Sequence, residues 1–222
     1  YSRQLSTSPA RDVKFLVEST SDVTGTVLLE PLRRQWCSDS GEISAVCQEA
    51  FDANPAGLAI AYWMDKRFPS AVWPQGIPNV MVCRPGASIP DRVRAVVENV
   101  GNILSRMIEE FAEKGLLGER FPAEIELAGG GSEIEYLMQY VADVSGHTLH
   151  RVASREAGSR GAALAALSSV YPQVDIKTLN ASDVVKTYQC IDPARRKRYL
   201  MWLRLEQDVL NSTLPAQAEI EP

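Results

Sequence analysis

Apolar and polar positions along the chain fall into runs that predict a succession of strands and helices. Residues 12–18 and 23–29 read as the two strands of a hairpin around the hydroxyl-rich turn Ser19-Thr20-Ser21-Asp22. A helix is predicted over 42–53, behind the start Asp39-Ser40-Gly41. Asn54-Pro55-Ala56-Gly57 breaks that helix, and a second is predicted over 58–66. Five prolines and two glycines between 68 and 90 make that stretch a loop or short strands.

The strongest helical signal follows. Ser88-Ile89-Pro90-Asp91 pairs a Ser cap with an acid three residues on, and the helix is predicted over 91–114. Val93, Val96, Val97, Val100, Ile103, Leu104, Met107, Ile108 and Phe111 make one continuous apolar stripe along it. A strand over 123–127 then leads through Ala128-Gly129-Gly130-Gly131 into a helix over 132–144. A second strand over 147–152 leads into a helix over 155–167. Two more helices are predicted over 182–190 and 193–211. Residues 1–11 are polar and without period, which reads as a flexible start, and 212–222 read as a disordered tail. One α/β domain over 12–211 is the expected organisation.

Composition narrows the class without naming a function. The chain has 222 residues, 45% of them apolar and 23% charged, ordinary values for a globular protein with a real core. A net charge of −5 argues against nucleic acid as a partner. The run Arg195-Arg196-Lys197-Arg198 is expected to be a solvated helix face. No apolar run is long enough for a membrane span and the polar start is no signal peptide, so the expected place is the cytoplasm. The four cysteines, Cys37, Cys47, Cys83 and Cys190, form no CxxC pair and read as reduced packing residues. His147 and His150 have no Cys or carboxylate at ligand spacing, and no metal site is expected there.

The candidate chemistry lies where a strand turns into a helix. Glycines at such a turn let the backbone take positive φ and let a ligand approach with no Cβ in the way. The helix behind them offers N–H groups and a partial positive charge to an anion. Gly129, Gly130, Gly131 and Ser132 therefore suit a nucleotide or another phosphate ester, against the plainer reading of a tight turn. The hairpin tip Ser19-Thr20-Ser21 offers a second phosphate cradle of hydroxyls and turn amides, or is simply a turn.

The order of parts from Gly129 to Leu167 resembles the C-terminal domain of the FGGY family of carbohydrate kinases. In that family a Gly-Gly-rich turn leads into a helix carrying a Gln and an Asp, matched by Gln139 and Asp143. A strand and a Glu followed by Gly-Ala-Ala come next, matched by Glu156 and Gly161-Ala162-Ala163. Arg94-Ala95-Val96-Val97-Glu98 matches a long structural helix of the same domain. The resemblance implies an actin-like ATPase (ribonuclease H-like) α/β fold, a mixed central sheet with helices on both faces. It implies ATP or ADP at Gly129, Gly130, Gly131, Ser132 and Gly57, with phosphates near Ser19, Thr20 and Ser21. It implies Mg carried mainly on the nucleotide phosphates, and a sugar or polyol substrate shared with a separate N-terminal domain. That domain would supply the catalytic base, and no catalytic residue is assigned in this chain. A homodimer is left open.

Two departures matter. Glu18-Ser19-Thr20-Ser21 lacks the glycine the family places there and sets a Glu beside the phosphates. Ile134 stands where many relatives carry a polar residue. A Rossmann dinucleotide site is a weaker reading, because Ile134 occupies the third position of G-x-G-x-x-G and Glu156 comes too late for the ribose acid. A non-catalytic actin-like module that binds nucleotide or protein remains the alternative.

Overall fold

A computed structural model describes residues 2–6, 16–20, 29, 36–62, 80–113, 123–153, 156–171, 173–174 and 183–213. The elements run in order β1 (Ser2–Ser6), β2 (Leu16–Thr20), α1 (Ser40–Ala53), β3 (Ala59–Tyr62), β4 (Val80–Cys83) and α2 (Ile89–Glu113). They continue with β5 (Glu124–Leu127), a 3-10 turn (Gly130–Glu133), α3 (Glu135–Ser145), β6 (Thr148–Val152) and α4 (Ala157–Val170). The last are β7 (Val184–Tyr188), a second 3-10 turn (Pro193–Arg195) and α5 (Arg196–Thr213).

Helix α2 is the element the others pack on. The Ser88 amide and hydroxyl both donate to the Asp91 carboxylate, at 2.9 and 2.6 Å. The Asp91 amide in turn donates to the Ser88 hydroxyl at 3.3 Å, closing a reciprocal cap. Burial alone would raise the Asp91 pKa, but these bonds and the nearby Arg94 outweigh it and hold the carboxyl below its ordinary range. The predicted apolar stripe is inside, with Val93, Val96, Val97, Val100 and Ile103 all buried. The polar face is buried too. Arg94, Glu98, Asn99, Asn102 and Ser105 are shielded because α1, α3, β3 and α5 all pack against this helix. Asn99 accepts from Trp202 Nε1 and Asn102 from Tyr140 Oη, both at 2.9 Å, which answers amides that would otherwise be costly to bury. The α2–α3 crossing is close at Gly101, where a Cβ would lie 2.6 Å from the Tyr140 ring.

Among the described residues the strands form three sheets. β1 and β2 are antiparallel, with Ser2 opposite Thr20 and Ser6 opposite Leu16. β3 and β4 are antiparallel, with Ala59 opposite Cys83. β5 and β6 are parallel neighbours joined through α3, as the sequence predicts, and β7 adds to β6 in the antiparallel sense. This three-stranded sheet is the mixed one of the α/β fold.

Several expectations are corrected. Residues 2–6, expected to be frayed, form β1 and pair with β2. Ser19 and Thr20 therefore lie within a strand whose described partner is β1, while Ser21 and the returning strand over 23–28 fall outside the described residues. The expected helix over 58–66 is instead strand β3 where described. Short apolar runs do not distinguish a buried strand from a helix, and pairing with β4 decided it. The expected helix over 182–190 is strand β7, rich in β-branched residues and held by β6. The tail was expected to lose order from Ser212, yet α5 runs through Thr213. All four cysteines are free; Cys47 is packed inside, where burial pushes its thiol pKa well up, while Cys83 and Cys190 are exposed.

The arginine run is the largest correction. Arg195 and Arg198 are buried, and only Arg196 and Lys197 face solvent. Arg198 Nε donates to Glu98 at 2.7 Å and its Nη2 to the Ala59 carbonyl at 3.0 Å. Glu98 also accepts from Arg94 at 2.7 Å and from Tyr136 Oη at 2.8 Å. Arg195 lies 4.1 Å over the Phe51 ring and 3.4 Å from the Asp143 carboxylate. Among the described residues no helix is long and apolar enough to cross a membrane.

Candidate functional site

The glycine turn sits at the carboxyl ends of the parallel pair β5 and β6, the end of an α/β sheet where ligand crevices form. Gly129 has φ 93° and ψ 169°, a conformation that a residue with a Cβ rarely adopts. The chain then tightens into the 3-10 turn: the Ser132 amide donates to the Gly129 carbonyl at 3.1 Å, and the Ile134 amide to Gly131 at 3.2 Å. The Ser132 hydroxyl also donates to the Gly129 carbonyl, at 2.7 Å, so this side chain holds the turn closed. Helix α3 thus starts at Glu135, three residues later than predicted, with Ile134 as its N-cap residue. Ile134 is only 3% exposed and belongs to the core, which explains an apolar residue at this position.

A cleft of about 430 Å³ opens beside the turn, lined by Gly129, Ser132, Glu133, Arg151, Val152, Ala153 and Val185. Around Gly130, outside its own turn, no atom of the described residues lies within 4 Å of where a Cβ would be, so the backbone there is open to approach. Val185 reaches the cleft because β7 is irregular at this point. Arg151 pairs with Lys186 and Val152 with Val184, which leaves Val185 as the extra residue of a bulge.

Of the residues predicted from sequence, Gly129 and Ser132 line the cleft, and Gly130 and Gly131 form the turn beside it. Gly57 is not in its lining. It has φ 72°, and its missing Cβ makes room for the Arg198 guanidinium in the buried network. Ser19 and Thr20 lie in β2. Gln139 and Asp143 lie on α3 and hold the loop after β7. Gln139 donates to the Gln189 carbonyl at 2.7 Å, and Asp143 accepts from the Ile191 and Asp192 amides at 2.7 and 3.1 Å. These contacts tie β7, and with it Val185, to the helix that leaves the glycine turn.

Sequence reasoning missed Arg151, Glu133 and Val185. The signal for Arg151 was present, since it stands at the carboxyl end of the second strand of a β-α-β unit. His150 Nδ1 is 3.0 Å from Thr187 Oγ1, and its Nε2 is 3.5 Å from Glu124. Half-burial holds the His147 pKa below its ordinary value. Among the described residues no three His, Cys, Asp or Glu side chains converge as a metal site.

Comparison with known proteins gives a consistent answer. The family described as the FGGY family of carbohydrate kinases, C-terminal domain, matches residues 3–170. Ligand-bound xylulose kinase from Lactobacillus acidophilus superposes with a TM-score of 0.66 at 15% identity, over 84% of this chain and 38% of that one. Plasmodium falciparum glycerol kinase with ADP gives 0.66 at 17% identity, over 90% and 40%. Gluconate kinase from Lactobacillus acidophilus gives 0.62 at 16%, over 88% and 39%. No curated protein matches. The chain spans about two fifths of the length of these solved kinases, and at such identity the likeness shows the shared actin-like fold. With 168 consecutive residues, 3–170, matched to the family, the chain belongs to the FGGY carbohydrate kinases, as their C-terminal domain.

Proposed function

We propose that this domain is the ATP-binding half of a kinase that phosphorylates a sugar or polyol hydroxyl. The observation that carries the reading is the open cleft beside the Gly129–Gly131 turn, at the carboxyl ends of β5 and β6. A glycine at positive φ, an uncluttered backbone at Gly130 and an arginine in the wall are what a polyphosphate needs. A magnesium ion would be carried mainly on the nucleotide phosphates. The base for the hydroxyl and most sugar contacts belong, in this reading, to another domain. Closure of the two would bring the γ-phosphate to the hydroxyl and exclude water.

The test is a titration of ATP and ADP against the backbone amides. Shifts at Gly129, Gly130, Gly131 and Ser132 at millimolar nucleotide are expected; still amides would sink the reading. This chain alone should release no sugar-dependent ADP, and a longer chain with an FGGY N-terminal domain should do so with at least one monosaccharide or polyol. A second reading, a non-catalytic actin-like interaction module, is favoured by two observations. Ser19 and Thr20 lie in a strand rather than at a turn, and Glu133 brings negative charge to the cleft. Absence of turnover in the longer chain with every sugar tried would support it.

A further inference from the structure

We propose that Arg151 is the anion-binding residue of the cleft, and that it takes the phosphate groups of the ligand. The inference rests on the reading of the cleft as a nucleotide site and adds the contact that distinguishes a nucleoside di- or triphosphate from an uncharged nucleoside. Arg151 is the last regular rung of the sheet before the cleft, opposite Leu127 on β5 and Lys186 on β7. The next step is the β7 bulge, a device that commonly re-aims side chains beside functional sites. Of the described lining residues Arg151 is the one cation.

Among the described residues, its surroundings leave the guanidinium available. The neighbouring cation, Lys186, is already answered by Glu135 at 2.8 Å. The arginines of the interior are answered by Glu98 and Asp143. Among the described residues the Arg151 side chain makes no hydrogen bond or ion pair, and its charge acts on the nearby Tyr188 phenol. A guanidinium beside an open glycine turn presents paired N–H donors in the geometry that phosphate oxygens accept. Glu133, also in the lining, sets the charge balance: it disfavours anions that do not reach Arg151.

The proposal is tested on the full chain by titrating pyrophosphate, ADP and adenosine against wild type, Arg151→Gln, Arg151→Lys and Glu133→Gln. Arg151→Gln should weaken pyrophosphate and ADP about tenfold while leaving adenosine within about twofold. Arg151→Lys should fall between, because it keeps the charge and loses the fork. Glu133→Gln should tighten both anions about twofold, which tests the electrostatics without touching Arg151. Unchanged core amides, Tyr140 and Tyr188 among them, check that each variant is folded.

The outcomes separate this inference from the reading beneath it. If ADP moves Gly129–Ser132 equally in wild type and Arg151→Gln, the nucleotide reading stands and the role of Arg151 is overturned. If pyrophosphate binding depends on Arg151 while ADP and adenosine leave the turn still, the anion contact stands and the nucleotide reading falls. If neither pyrophosphate nor ADP binds wild type, both are overturned.

Discussion

Two regions of this molecule are built from arginines and carboxylates, and they obey opposite rules. In the interior, Glu98 stands between Arg94 and Arg198, and Asp143 faces Arg195 under a roof of Phe51, Tyr136 and Tyr140. In the cleft, Arg151 and Glu133 line an open wall and the glycine backbone beside them is uncovered. Low dielectric makes each interior charge dependent on its partner, so these residues join α2, α3 and α5 into one body. Solvent in the cleft weakens the same charges towards each other, so neither depends on a buried counter-charge. A mutation in the first region should therefore read out as stability, and one in the second as binding.

The contrast breaks most visibly at Glu98. Glu98→Gln leaves two buried guanidinium groups without a full counter-charge, and the chain should lose about 3–5 kcal/mol. Urea unfolding checks this, and a loss below about 1 kcal/mol would mean that water reaches the network. Gly57→Ala probes the same region from its edge. A Cβ there meets the Arg198 guanidinium, in a backbone conformation that disfavours it, so about 1–3 kcal/mol should be lost. Nucleotide affinity should be unchanged. A large affinity loss with stability intact would return Gly57 to the ligand site.

The cap of α2 gives a pH test. The Asp91 pKa is lowered in the folded chain, so its stabilisation is present above the unfolded value near 3.9 and is lost as pH falls through the folded one. Asp91→Asn should cost about 1 kcal/mol at pH 7, and that difference from wild type should shrink as pH approaches about 3. A difference independent of pH would mean that charge plays no part in the cap. The smallest stability effect is expected at Gly130→Val, below about 1 kcal/mol by thermal melting, since among the described residues no atom outside the turn contests the added Cβ. Any amide shift on adding ATP should disappear in this variant, because the branched side chain occupies the approach to the turn.

Short-range signals were legible in the chain itself. A cap three residues from its acid and an apolar stripe of helical period announce α2, because both involve neighbours one turn apart. Strand, glycines, helix and strand announce the β5-α3-β6 unit for the same reason, and its parallel pairing follows from the crossover. Those elements also carry the resemblance on which the family assignment first rested. Tertiary structure decided what depended on distant partners. Arg198 reads locally as one residue of a solvated basic run, but its partners Glu98, Ala59 and Ala56 lie 100, 139 and 142 residues away. β7 has enough apolar content for a helix, and becomes a strand because β6 offers it a ladder. Gly57 and Gly129 look alike in sequence, both glycines in a break after a regular element, and both have positive φ. One faces a buried guanidinium and the other an open cleft, because a glycine's local freedom says nothing of what fills the space where its side chain would be.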